Sequence, residues 1–137
     1  MKYRFNLVLV FITFFTFLAC EKEKDISPSP DTIKSILSNG LTKTWTLTKL
    51  YVNGTQQTLT AGQARFTKTF KANNNWLDSD GNIGTYSLPN INSLQEVTTN
   101  HPSGTRTINY TIKECNTTIL DVEYVIANTT YRLVFTL

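Results

Sequence analysis

Residues 31–137 predict an all-β fold, an up-and-down antiparallel β-barrel of about eight strands with one short helix ahead of it. Three observations carry this reading. From Leu41 onward apolar residues recur at every second position, the period of a strand with one buried face. The alternating runs are separated by short turns rich in Asn, Gly and Pro, and short links make neighbouring strands antiparallel. The polar positions of the runs are crowded with threonine, a β-branched residue suited to the wet face of a sheet. Closing the sheet into a barrel removes its edges, which favours a barrel over an open sandwich.

Each element follows from its own residues. Asp31 to Gly40 reads as a helix of two to three turns. Ser29 or Asp31 caps it, Ile33, Ile36 and Leu37 share one face, and Gly40 suits the position past its end. A helix so short needs a body to lie on, most simply an open barrel end. Thr44–Val52 alternates, with Trp45, Leu47 and Tyr51 on one face, and Asn53-Gly54 is a hairpin turn. Gln56–Thr60 reads as a short return strand. Arg65–Lys71 puts Phe66 and Phe70 on one face, and Asn73–Asn75 makes a turn. Trp76-Leu77 lead into a second turn, Asp78–Asn82. Ile83–Leu88, Leu94–Thr98, Thr107–Lys113, Thr117–Ile126 and Thr130–Leu137 complete the set. Their breaks fall at Pro89-Asn90, His101–Gly104, Cys115-Asn116 and Ala127-Asn128.

Ahead of the barrel the chain changes character. Residues 1–19 carry Lys2 and Arg4, then run apolar from Leu7 to Leu18 without a charge, and end on Ala19 before Cys20. A basic start, a short apolar run and a small residue at the cut describe a secretory signal peptide, and the run is too short to span a membrane as a helix. Phe17-Leu18-Ala19-Cys20 resembles the lipobox of bacterial lipoproteins. That resemblance implies cleavage after Ala19 and lipidation of Cys20, with fatty-acyl chains such as palmitate holding the protein on a membrane. Residues 20–30 are charged and then Ser/Pro-rich, with Ile26 the one large apolar residue, which makes them a tether. Glu21, Glu23 and Asp25 resemble the export signal of Bacteroidota lipoproteins. That implies the outer membrane, on its surface or its periplasmic face. Asp31-Thr32-Ile33 is similar to the O-glycosylation motif of the same bacteria and implies a sugar on Thr32.

Charge excludes one class of partner. Of 13 basic residues, Lys2 and Arg4 precede Cys20, leaving 11 against 10 acidic ones. That balance gives no field to steer nucleic acid. If Cys20 is acylated, Cys115 is left without a partner for a disulfide, and it reads as a turn or core residue. The 107 residues from Asp31 onward suit one domain.

Leu41–Thr48 with Trp45, followed by Asn53-Gly54, resembles the opening of the small lipocalin-like domains on Bacteroidota lipoproteins. Phe66 and Phe70 before an Asn-rich turn, Gly84-x-Tyr86-x-Leu88, Tyr110-x-Ile112 and Leu133-x-Phe135 match the later segments. Lys43 stands where the family has Gly. The resemblance implies that Trp45 and Arg132 close one barrel end by a cation–π contact, worth about 0.5–2 kcal/mol.

Chemistry is sparse. Asp78-Ser79-Asp80-Gly81-Asn82 places Gly and Pro89 at the wrong loop positions for an EF-hand and reads as a turn. His101 is the only histidine, so neither a zinc site nor a Ser-His-Asp arrangement can be built. Asp121 and Glu123 share the outer face of a strand. No catalytic residues, metal or cofactor are expected. The sequence reading is a membrane-anchored, non-catalytic protein binding a small apolar ligand, with Trp76, Tyr86 and Tyr124 as its wall, or an envelope partner. The alternative is a solid barrel that serves as an interaction module.

Overall fold

A computed structural model describes residues 28–137. The segment expected to be a signal peptide, its flank Leu18-Ala19, Cys20 and most of the expected tether lie outside the described residues. Helix α1 (Pro30–Ser38) is capped by Ser29, whose Oγ accepts from the Thr32 amide at 3.2 Å, and Pro30 occupies its first position. Asn39 and Gly40, at φ 49° and 74°, turn the chain out of the helix. Nine strands follow: β1 (Thr42–Val52), β2 (Thr55–Gln57), β3 (Thr67–Lys71), β4 (Asn75–Asp78), β5 (Ile83–Asn90), β6 (Ser93–Thr98), β7 (Arg106–Cys115), β8 (Ile119–Ile126) and β9 (Thr129–Thr136). Strands β1 and β3 to β9 form a closed antiparallel barrel of eight strands in chain order, sealed by the pairing of β9 with β1.

The predicted strand number holds, but one member differs. The return strand after Asn53-Gly54 is only β2, which extends β1 and ends at Gln57. The chain then loops through a 3₁₀ turn at Gln63–Arg65 before β3. The eighth barrel strand is instead β4, where the sequence reading placed only Trp76-Leu77 before a turn. Pro89 lies inside β5 rather than ending it, because the register shifts by one residue between Ser87 and Asn90. Such a bulge tolerates a residue that cannot donate to the ladder.

A second bulge, between Leu47 and Lys49, inverts the alternation of β1. Leu50 then pairs with Leu133, and Tyr51 pairs with Arg132 on the outer face. Tyr51 therefore does not share a face with Trp45 and Leu47. Leu137 falls past the end of β9 and is exposed.

Helix α1 packs on β1, β3, β5 and β7 and covers one end of the barrel. Beneath it the lumen is filled by Leu37, Trp45, Phe70, Tyr86, Leu94, Leu120 and Phe135, each at most 3 % exposed. Every residue of this core lies between Ile33 and Phe135. No helix among the described residues is long and apolar enough to cross a membrane.

Candidate functional site

At the end away from the helix the lumen is not filled. Alternation along β3 and β6 sends Lys68 inward between Phe66 and Phe70, and Glu96 inward between Leu94 and Thr98. The two meet across the barrel with Nζ and Oε2 2.5 Å apart, their residues 6 % and 2 % exposed. From β7 the Tyr110 hydroxyl donates to the same Oε2 at 3.1 Å and accepts from Lys68 Nζ at 3.4 Å. Lys68 Nζ also stands 4.8 Å from the centroid of the Trp76 ring and 5.3 Å from that of Tyr110.

Pairing is what makes this floor tolerable. A lone charge at such depth costs several kcal/mol, and the attraction of its partner offsets that cost only with good geometry. An apolar pair of the same volume is often as stable or more so. Among the described residues Glu96 Oε1 has no donor. Among the described residues no buried side-chain nitrogen or oxygen goes without a hydrogen bond, so Oε1 opens on the space above.

That space is a cavity of about 370 Å³. Its wall includes Phe66, Trp76, Ile108, Tyr124 and Leu133, and its rim carries Asp80, Asn82, His101 and Arg106. Trp76 is fixed from two sides. Its Nε1 donates to the Thr85 carbonyl at 3.0 Å, and its indole lies against Gly84, where a Cβ would come within 2.9 Å of Nε1 and 1.9 Å of the Val97 carbonyl oxygen. Tyr110, Tyr124 and Tyr131 form a row across β7, β8 and β9. The first two rings meet edge to face at 5.2 Å, and the second and third stack at 5.2 Å. Burial, then the charge of Glu96, hold the Tyr110 phenol well above its usual range. Burial, then Tyr131, raise that of Tyr124. Both are neutral hydroxyls at physiological pH.

The β4–β5 turn shapes one side of the rim. Asp78 Oδ1 accepts from the amides of Asp80 and Asn82 at 3.0 Å each, and Oδ2 accepts from the Asn82 side chain at 2.9 Å. Both oxygens are thus engaged by the turn, as a hairpin reading requires. On the other side of the mouth, Asn53 Oδ1 accepts from the Thr130 amide at 2.9 Å and ties the β1–β2 turn to the β8–β9 turn.

Of the three wall residues expected from sequence, Trp76 and Tyr124 line this cavity together. Tyr86 does not join them. It points into the filled half, meets Phe70 edge to face at 5.0 Å and donates its hydroxyl to the Lys71 carbonyl at 2.9 Å. The Trp45–Arg132 closure is also replaced. Trp45 seals the helix end by donating Nε1 to the Leu37 carbonyl at 3.0 Å, but the cation over its ring is Lys43, 4.0 Å from the centroid. The β1–β9 register sets Arg132 opposite Tyr51, six residues from Trp45 and on the outside. There Arg132 grips Asp121 with Nε and Nη2 and stands 5.2 Å over the Tyr51 ring. Asp121, expected on a solvated face, is 4 % exposed for that reason.

Thr32 sits in the first turn of α1 with its hydroxyl 3.0 Å from that of Ser29. Cys115 ends β7 at the helix end. Burial pushes its thiol up to about 11 against the opposing pull of Lys43. Among the described residues no three His, Cys, Asp or Glu side chains gather as a metal site.

Lys68, Glu96 and Tyr110 are the residues that sequence reasoning did not assign to the site. The signal was present, since the count that turns Phe66 and Phe70 inward turns Lys68 inward as well. Comparison with family models, with characterised proteins and with solved structures returns no match.

Proposed function

We propose that this protein is a non-catalytic, lipid-anchored lipoprotein of the cell envelope whose lipocalin-like barrel binds a small molecule in its open end. The observation that carries the reading is the cavity of about 370 Å³ walled by Trp76 and Tyr124. Ligand pockets commonly enclose about 300–1,000 Å³, with apolar walls and a few convergent polar groups. A barrel used only as a solid interaction module gains nothing by leaving half its lumen open, because filling it would contribute about 25 cal/mol per Å² buried.

The anchor half of the proposal rests on residues 1–30: the basic and apolar leader, the small Ala19 and Cys20 itself. Lipidation at Cys20 would place the barrel at the outer membrane, on a tether of about ten residues. Two or more acyl chains give stable attachment where a single chain is marginal.

Two experiments test the halves separately. Residues 28–137, which hold the helix, all nine strands and the core, should carry a stoichiometric small molecule in native mass spectrometry, released by organic extraction. A bare polypeptide mass from several expression hosts would count against the ligand. In cells, Cys20→Ala should move the protein from the membrane fraction to the soluble one. Membrane retention by that variant would sink the anchor.

A further inference from the structure

The cavity has a floor, and the floor is charged. Beneath it the lumen is packed with Trp45, Phe70, Leu94, Leu120 and Phe135, each at most 2 % exposed, and these side chains stand in the way of an acyl chain. An apolar tail inserted from the mouth would end against Lys68 and Glu96, and a ligand of that kind would leave the open oxygen Oε1 without a donor. Burying a carboxylate oxygen without a hydrogen bond is costly. The ligand therefore enters with a polar edge first.

What that edge must carry follows from what the floor has left over. Glu96 offers Oε1 as an acceptor. Among the described residues Lys68 has two of its three donors committed, to Glu96 and to Tyr110, which leaves one. The two groups are in direct contact, so the complementary ligand places a donor beside an acceptor on one short edge. The walls above are the faces and edges of Trp76, Tyr110 and Tyr124, with Ile108 and Leu133 between them. Such walls favour a flat ring over a branched or globular molecule.

We infer that the open end of the barrel takes a neutral, planar heterocycle of one or two fused rings, seated with an adjacent N–H and C=O on Glu96 and Lys68. This rests on the reading of the cavity as a small-molecule site. Binding needs no covalent step. The ring N–H donates to Glu96 Oε1, the ring carbonyl accepts from Lys68, and the ring faces lie along the aromatic wall.

The test uses the full chain and three probes in titration calorimetry. 2-Quinolone has the lactam edge on two fused rings, naphthalene has the same rings without it, and palmitate is a single acyl chain. Quinolone should bind at least about tenfold more tightly than naphthalene, the ratio expected for hydrogen bonds to charged groups. The double variant Lys68→Met/Glu96→Leu, which removes the floor charges in a matched way, should reverse that order. Preference for naphthalene or palmitate by the unaltered protein overturns the polar-edge inference and leaves the small-molecule reading standing. Failure of all three probes to bind overturns both. Should the double variant not fold, Ile108→Trp serves in its place. It fills the mouth from the wall above an intact floor and must abolish quinolone binding, and binding that survives it overturns the site.

Discussion

Lys68 stands at an inward position between Phe66 and Phe70, Glu96 at one between Leu94 and Thr98, and each is tolerable only because of the other. Their energetics separate a structural pair from a costly one. Removing one partner of a buried pair costs about 3–5 kcal/mol, because the other charge is left without compensation. The cavity brings water to the orphan, so Glu96→Ala should cost about 3 kcal/mol in urea unfolding. Lys68→Met/Glu96→Leu should lose less than about 1 kcal/mol, or gain, since it removes both charges together. If the double variant were as destabilised as the single one, the pair would be contributing more than compensation. Gly84 makes a different residue-scale claim. A methyl group there would overlap the Val97 carbonyl at 1.9 Å and crowd the Trp76 indole. Gly84→Ala should cost about 1–3 kcal/mol and shift the emission of Trp76, the tryptophan beside the cavity. The same residue scale marks the limit of legibility. Charged side chains are mostly exposed, and that prior conceals a Lys and a Glu which the period of two turns inward. Their partner lies 28 residues away in sequence, so the pair becomes visible only once the barrel closes.

Strands, turns and the helix were largely legible because each carries its own local signal. The capping serine, the Asn-Gly turn and the alternation of β7, β8 and β9 all act within a few residues. Bulges carry no such signal. The extra residue between Leu47 and Lys49 moves Tyr51 outward, where it meets Arg132, which the unbroken alternation of β9 also turns outward, so a closure of Trp45 by Arg132 is not formed. Lys43, at the start of β1, supplies the cation instead and donates to the Ile36 and Thr117 carbonyls at 3.2 and 2.7 Å. One turn is strained. Ala127 and Asn128 connect β8 to β9 with φ of 46° and 63°, and the left-handed region costs a residue with a Cβ about 1–2 kcal/mol. Part of that gain is returned when glycine loosens the unfolded chain. Ala127→Gly should still raise stability by about 0.5–1 kcal/mol in urea unfolding. No change, or a loss, would show that the turn relaxes from this geometry in solution.

Closure of the barrel buries acids that keep their protons, and this gives the whole molecule a stability profile on the alkaline side. Burial raises the Cys115 thiol from 9.0 to about 11, and raises the phenols of Tyr86, Tyr110 and Tyr124 above their ordinary 10.0. In the unfolded chain these groups lose their protons at the ordinary values. Between the ordinary and the raised values the folded state binds more protons than the unfolded one, so stability falls as pH rises. The fall should begin near pH 9 with Cys115, steepen above pH 10 as the tyrosines join, and continue through their folded-state values. Lys43, lowered by burial at the helix end, acts in the opposite direction, but it is one group against four. Urea midpoints taken across the range from about pH 8 to pH 11 measure the profile directly. Cys115→Ala should remove the early part of the fall. Tyr110→Phe should flatten the later part while lowering the plateau, because Glu96 loses a donor. A midpoint that stays level to pH 11 would mean that water reaches these groups in the folded state, and the buried floor described for the cavity would fall with it.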